Sequence, residues 1–155
     1  MTTLQLPPDA FVPVEAFPLY WRWSQASHAL LPADVLATIH PLTPEAARAL
    51  SDQASARCPA CSDIQPLVDI SAGASSDEQA VRSQLLTLPV GAPDTIVVQW
   101  LPHMAVLTSW GTFVTHWDDF CYPASDDVSV WDPSADWALC YCHHEHFIFA
   151  RPGTS

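Results

Sequence analysis

The feature that most constrains the fold is a change of texture at Thr95. From there Thr95-Ile96-Val97-Val98-Gln99-Trp100-Leu101 is a β-branched run, and Met104 to Thr108 is a second one beyond Pro102-His103. Side chains branched at Cβ lose rotamer freedom in a helix and pack well on a pleated surface, so both runs predict strands. Val128-Ser129-Val130-Trp131 predicts another, and Asp136 to Cys142 and Glu145 to Arg151 predict the arms of a hairpin turning near His143-His144. In the first arm Cys140 and Cys142 share a face with Ala138, while Trp137, Leu139 and Tyr141 share the other. Apolar residues on both faces mark a central, buried strand in which free cysteine acts as a small hydrophobe.

Helical periodicity fills most of the remainder. Thr43-Pro44 starts a helix to about Ala56, with Thr as N-cap, Pro in the first turn, and Ala47, Leu50 and Ala54 inward. Ser75-Ser76-Asp77-Glu78 is a capping box, and the helix it opens places Val81, Leu85 and Leu88 on one face before Pro89 and Gly91 end it. Trp110, Phe113, Val114, Trp117 and Cys121 share one face of a helix running from about Ser109, with Ser109 or Thr108 as cap. Pro32 to Ile39 predicts a short helix, Tyr20-Trp21-Arg22-Trp23 alternates like a short strand, and residues 58–75 read as loop. Residues 1–19, with four prolines, read as an extended arm. The expectation is an α+β fold: an antiparallel sheet of about five strands, mostly in the C-terminal half, with three or four helices packed on one face. It is expected as a single domain over 1–155, mainly helical at 20–94 and mainly β with one helix at 95–151.

Charge narrows the partners. Five Arg and no Lys stand against seventeen Asp and Glu, a formal net charge of −12. Such a field repels nucleic acid and anionic membranes, favours a basic partner and speeds encounter with it. Acidity also serves solubility alone. The first residues carry neither the basic nor the apolar region of a secretory signal, and no stretch approaches the ~20 apolar residues of a membrane span. With five Cys, an odd number, reduced thiols and a cytoplasmic setting are expected.

No motif amounts to an active site. Cys58-Pro59-Ala60-Cys61 is a C-x-x-C, but a redox pair would follow a strand, and here a predicted helix precedes it. Zinc would need further ligands from Cys140, Cys142, His143, His144 and His146, at no recognised finger spacing. A metal-dependent hydrolase could draw on His144, His146 and Asp127, yet no H-E-x-x-H is present. With four glycines in the chain, phosphate-cradling loops are not expected either. No cofactor is therefore predicted.

The most informative segment is acidic. Asp118, Asp119, Asp126, Asp127, Asp132 and Asp136 alternate with aromatics such as Trp131, with no compensating Lys or Arg between them. Asp in turns is ordinary loop chemistry, and an oxygen-rich loop can hold calcium, although the EF-hand spacing is absent. Crowded like charges also suit a cationic partner. These residues are the candidate partner-binding set.

Trp117-Asp118-Asp119-Phe120-Cys121-Tyr122-Pro123, Ser125-Asp126-Asp127, Trp137 to Tyr141, His144-Glu145 and Phe147 resemble the C-terminal half of small bacterial immunity proteins of polymorphic toxin systems. The likeness covers about residues 95–151. Tyr20-Trp21 and Pro41-Leu42-Thr43 are similar to a related uncharacterised proteobacterial family. The resemblance implies a compact α+β protein that binds and blocks a cognate toxin, and it implies no catalytic residues. Cys58 and Cys61 stand outside it.

Overall fold

Both β-branched runs pair with each other in the computed structural model, which describes residues 6–25, 29–57, 68–72, 77–122, 126–133, 137–142 and 145–150. After 3-10 turns at Pro8–Ala10 and Val14–Ala16 come α1 (Trp21–Ser24), β1 (Ala29–Leu30), α2 (Ala33–Leu36), β2 (His40–Pro41) and α3 (Pro44–Arg57). β3 (Val68–Ser71), α4 (Glu78–Leu86), β4 (Ile96–Leu101) and β5 (Met104–Thr108) follow. The chain continues through α5 (Trp110–Thr115), α6 (Trp117–Phe120), β6 (Val128–Trp131), β7 (Ala138–Cys142) and β8 (His146–Ala150). Seven strands form one antiparallel sheet in the order β2-β5-β4-β6-β7-β8-β3.

The fold is α+β, with a sheet larger than the five or so strands expected. The additions sit at its edges, β2 beside β5 and β3 beside β8. Neither is legible as a strand. β2 has two residues, and in β3, inside the stretch read as loop, Ile70 alone is buried.

Cross-strand register builds the main core. Val106, Val98, Val130, Leu139 and Phe149 lie opposite one another in sequence of strands, so one face carries an unbroken apolar row. Against it pack Trp23 of α1, Val81 and Leu85 of α4, Trp110 and Phe113 of α5, and Trp117 and Phe120 of α6. The opposite face is also covered: Leu42 and the Ala47 and Leu50 of α3 bury Val97, Ala105 and Leu107, with Trp131 packed at the side. Helices on one face alone, as the sequence suggested, would have left this second row of apolar side chains in water. Ala47 and Leu50 point inward as expected, and the Ala54 side chain lies outside the described ones.

Three local differences have physical causes. Tyr20 to Trp23 is helical turn, held by Arg22 N–H to Leu19 C=O and Trp23 N–H to Tyr20 C=O, both 3.0 Å. At α4 the cap is Asp77, whose carboxylate accepts from Gln79 N at 3.0 Å; Ser75 and Ser76 lie outside the described residues. The predicted helix from Ser109 to Cys121 begins as expected, Ser109 Oγ accepting from Thr112 N, but breaks at His116. Arg82 of α4 explains the break. Its Nε and Nη2 donate to the carbonyls of Val114 (3.2 Å) and Thr115 (2.8 Å), which a continuous helix would have given to Asp118 and Asp119.

The cysteines also depart from expectation. Cys140 lies in the buried, central β7 but is disulfide-bonded, its partner beyond the described residues, whereas Cys121 and Cys142 are free. Export signals and an odd count speak to compartment, and neither reports which thiols the fold brings together. Cys58 and Cys61 lie outside the described residues.

Candidate functional site

α1 and the segment after α6 meet around the Arg22 side chain. Turning the chain helically at Tyr20 sends Arg22 and Trp23 inward and leaves Trp21 38 % exposed. Arg22 Nη1 and Nη2 then reach the two carboxylate oxygens of Asp126 at 2.6 and 3.1 Å, a bidentate pair between residues 104 apart in sequence. Asp126 Oδ2 also accepts from Tyr122 N at 2.9 Å, and Asp126 N donates back to Tyr122 C=O at 3.2 Å. The guanidinium carbon lies 3.9 Å from the Tyr122 ring centre and 5.5 Å from that of Trp21. The two rings stand edge to face, 6.1 Å apart.

This clasp is internal. Arg22 and Asp126 are 6 % and 8 % exposed, and the Arg22 Nε has no hydrogen-bond partner among the described residues. A charge so buried is tolerable only while its counter-charge is present. Beside it the Cys121 thiol is pushed far up by burial, with Asp126 adding to the effect, and it stays a protonated core group. Two indoles fasten the neighbouring α6: Trp23 Nε1 donates to Asp119 C=O at 3.0 Å and Trp100 Nε1 to Phe120 C=O at 2.9 Å.

α6 presents its carboxylates outward from this mount. Asp118 and Asp119 are half-buried at the surface. Burial, then Asp118 and Glu78, raise the Asp119 carboxyl to about 6, against the pull of Arg82. His116 Nδ1 lies 3.7 Å from Asp119 Oδ2, beyond hydrogen-bond reach, and burial lowers its pKa. The contact is therefore not a standing ion pair at neutral pH. Burial also raises the Tyr122 hydroxyl, which Arg22 opposes and Asp119, Asp126 and Asp118 reinforce, so these carboxylates lie within electrostatic reach of that hydroxyl.

The six carboxylates of the acidic segment thus do not form one surface. Asp118, Asp119 and the exposed Asp127 are accessible, whereas Asp126 and Asp132 are buried. The compensating cation that the segment lacks in sequence is Arg22. Trp131 packs on the α3 face of the sheet, away from α6, and Asp136 lies outside the described residues. Sequence reasoning missed Trp21 and Arg22 as part of the site. The signal available was an exposed-type Trp next to the only Arg in the first forty-seven residues.

The residues considered for metal chemistry are dispersed or otherwise engaged. His146 Nδ1 meets Asp69 Oδ1 at 2.7 Å on the β3–β8 edge, and His143 and His144 lie outside the described residues. Among the described residues no three His, Cys, Asp or Glu side chains come together to hold a metal ion. Among them, too, no helix is long and apolar enough to cross a membrane. No family model, curated protein or solved structure matches the chain.

Proposed function

We propose that this chain binds a basic protein and neutralises it by occlusion, the role implied by its resemblance to immunity proteins of toxin systems. The contact surface is centred on Trp21 and Tyr122 and rimmed by Asp118, Asp119 and Asp127. The observation that carries the reading is the exposed Trp21 braced edge-on against Tyr122, whose hydroxyl feels the Asp118 and Asp119 carboxylates, with the nearest guanidinium buried in a pair. Interfaces draw most of their affinity from such aromatic anchors inside a polar rim. The net charge of −12 supplies long-range attraction to a basic surface.

The reading differs from a uniform acidic patch. Asp126 braces the fold through Arg22 and Asp132 is buried, while Trp131 serves the α3 side of the core. Capture from a lysate of the source organism, with wild type and Trp21→Ala run side by side, provides the test. A basic protein retained by the wild type, lost with Trp21→Ala, and inhibited in its own activity by the purified chain is the expected result. A captured protein that binds both forms equally, or that keeps full activity in the complex, contradicts it.

A further inference from the structure

α3 covers the β4–β5 end of the sheet's second face, and the far end of that face carries side chains of another kind. Register sets Cys142 of β7 directly opposite His146 of β8, and His146 opposite Ser71 of β3. Asp69 stands two residues before Ser71 and so shares the face. Their chain neighbours Tyr141, Phe147 and Ile70 turn the other way, into the main core. Residues opposite one another in an antiparallel pair point the same way, with Cβ atoms about 4.5–5.5 Å apart. Cys142 and His146 are half-buried and Asp69 is exposed, so solvent reaches the row.

The last member fixes the polarity of the row. A carboxylate only accepts, so the 2.7 Å contact of His146 Nδ1 with Asp69 Oδ1 is donated by the ring. Neutral imidazole then keeps its lone pair on Nε2. Asp69 holds the ring from the β3 side, and a free thiol faces it from the β7 side. A thiol, a base and a carboxylate that orients the base are the parts that activate a sulfur nucleophile. Among the described residues the three do not converge on one point as metal ligands would; they stand in line, as a proton relay requires.

The surroundings select the electrophile. Cys140, two residues back along β7 on the same face, is disulfide-bonded. A setting that keeps this bond also offers disulfides to a free thiol. Glu145, whose N–H donates to Cys142 C=O at 2.8 Å, adds a second carboxylate beside Asp69, and the net charge of −12 reinforces both. This field attracts a positively charged reagent and repels an anionic one.

We propose that Cys142, His146 and Asp69 form a nucleophilic thiol site that exchanges with small cationic disulfides. His146 Nε2 takes the thiol proton and the Cys142 sulfur attacks one sulfur of the disulfide. The S–S bond of the reagent breaks, and the departing thiolate takes the proton back from the imidazolium. One S–S bond forms as one breaks, so no outside oxidant is consumed. Cys142 and His146 are catalytic residues and Asp69 is a positioning residue. The site uses none of the residues assigned to the protein-binding surface, and the two stand or fall separately.

The test is mixed-disulfide formation by the unreduced full chain with cystamine and with dithiodiglycolate, the modified cysteine being located by peptide mass mapping. Each rate is divided by that of the same reagent with N-acetylcysteine amide. On this scale Cys142 should be modified first, and about tenfold faster by cystamine than by dithiodiglycolate. His146→Gln should slow the cystamine reaction at least about tenfold with the melt in place. Asp69→Asn should slow it too, and Asp69→Glu should restore it, because the carboxylate acts through the ring. If His146→Gln lowers the melt, the Asp69 variants decide. First modification at another cysteine, a rate indifferent to both His146→Gln and Asp69→Asn, or equal normalised rates for the two reagents would overturn the proposal.

Discussion

Asp126 and Asp127 are chain neighbours with opposite physical situations. Asp126 is 8 % exposed, clamped by Arg22 and by the Tyr122 backbone, whereas Asp127 is exposed to solvent. The same division runs through the described part of the acidic segment, with Asp132 buried and Asp118 and Asp119 half-buried at the surface. A run of like charges in sequence is thus two populations, one buried in the fold and one accessible at the surface. Burial, which the sequence does not display, decides membership.

The largest effect should come from the inner population. Asp126→Ala leaves Arg22 charged, buried and unpaired, and should cost about 3–5 kcal/mol in chemical denaturation. Replacing both partners by apolar residues of similar size, Arg22→Met with Asp126→Leu, should recover most of that loss. A cost below about 1 kcal/mol for the single change would erase the distinction between Asp126 and its neighbour.

Trp23→Phe sharpens the comparison at the mount of α6. It keeps the ring packing against Phe17 and Phe120 but removes the bond to Asp119 C=O. The expected loss is about 1–2 kcal/mol, from a carbonyl left without its donor. A neutral result would mean that α6 is held by packing alone.

Asp119 should behave in the reverse sense. Its carboxyl is raised from 3.8 to about 6, chiefly by burial, so folding favours the protonated form. The stability this provides is complete below pH 3.8 and is lost as pH rises through about 6. At pH 7.5 Asp119→Asn should therefore stabilise the chain, by about 1 kcal/mol once solvent screening at this half-buried site is allowed for. Denaturation midpoints of both forms at pH 5 and 7.5 measure it, and a variant that is less stable at pH 7.5 contradicts the assignment. Asp127→Asn should shift stability by no more than about 0.5 kcal/mol, the smallest effect of the series.

How much of this was legible depended on the range of the interactions involved. Strong local periods were readable: α3 with Ala47 and Leu50 inward, the β4–β5 pair, and the β7–β8 hairpin all follow from two-residue or helical spacing. Four alternating residues at Tyr20 to Trp23 do not distinguish a strand from one helical turn, because both periods fit so short a window. β3 was hidden for a similar reason, with a single buried residue and no alternation to detect. The break at His116 depends on Arg82, thirty-odd residues away, taking carbonyls that the local sequence would have kept in a helix. The Arg22–Asp126 pair spans 104 residues and leaves no local signal at either end, so the clasp and the surface built on it could not be read in advance.

The most direct test of the central claim is kinetic. Association rates of the captured basic partner with wild type and with Asp118→Asn/Asp119→Asn/Asp127→Asn should be measured against ionic strength, beside thermal melts of both. Outer carboxylates act on encounter more than on the fold. The variant should melt no lower than wild type, associate about tenfold more slowly at low salt, and show a flatter salt dependence. An unchanged rate and salt slope, with the melt intact, would remove the outer carboxylates from the interface and contradict the account.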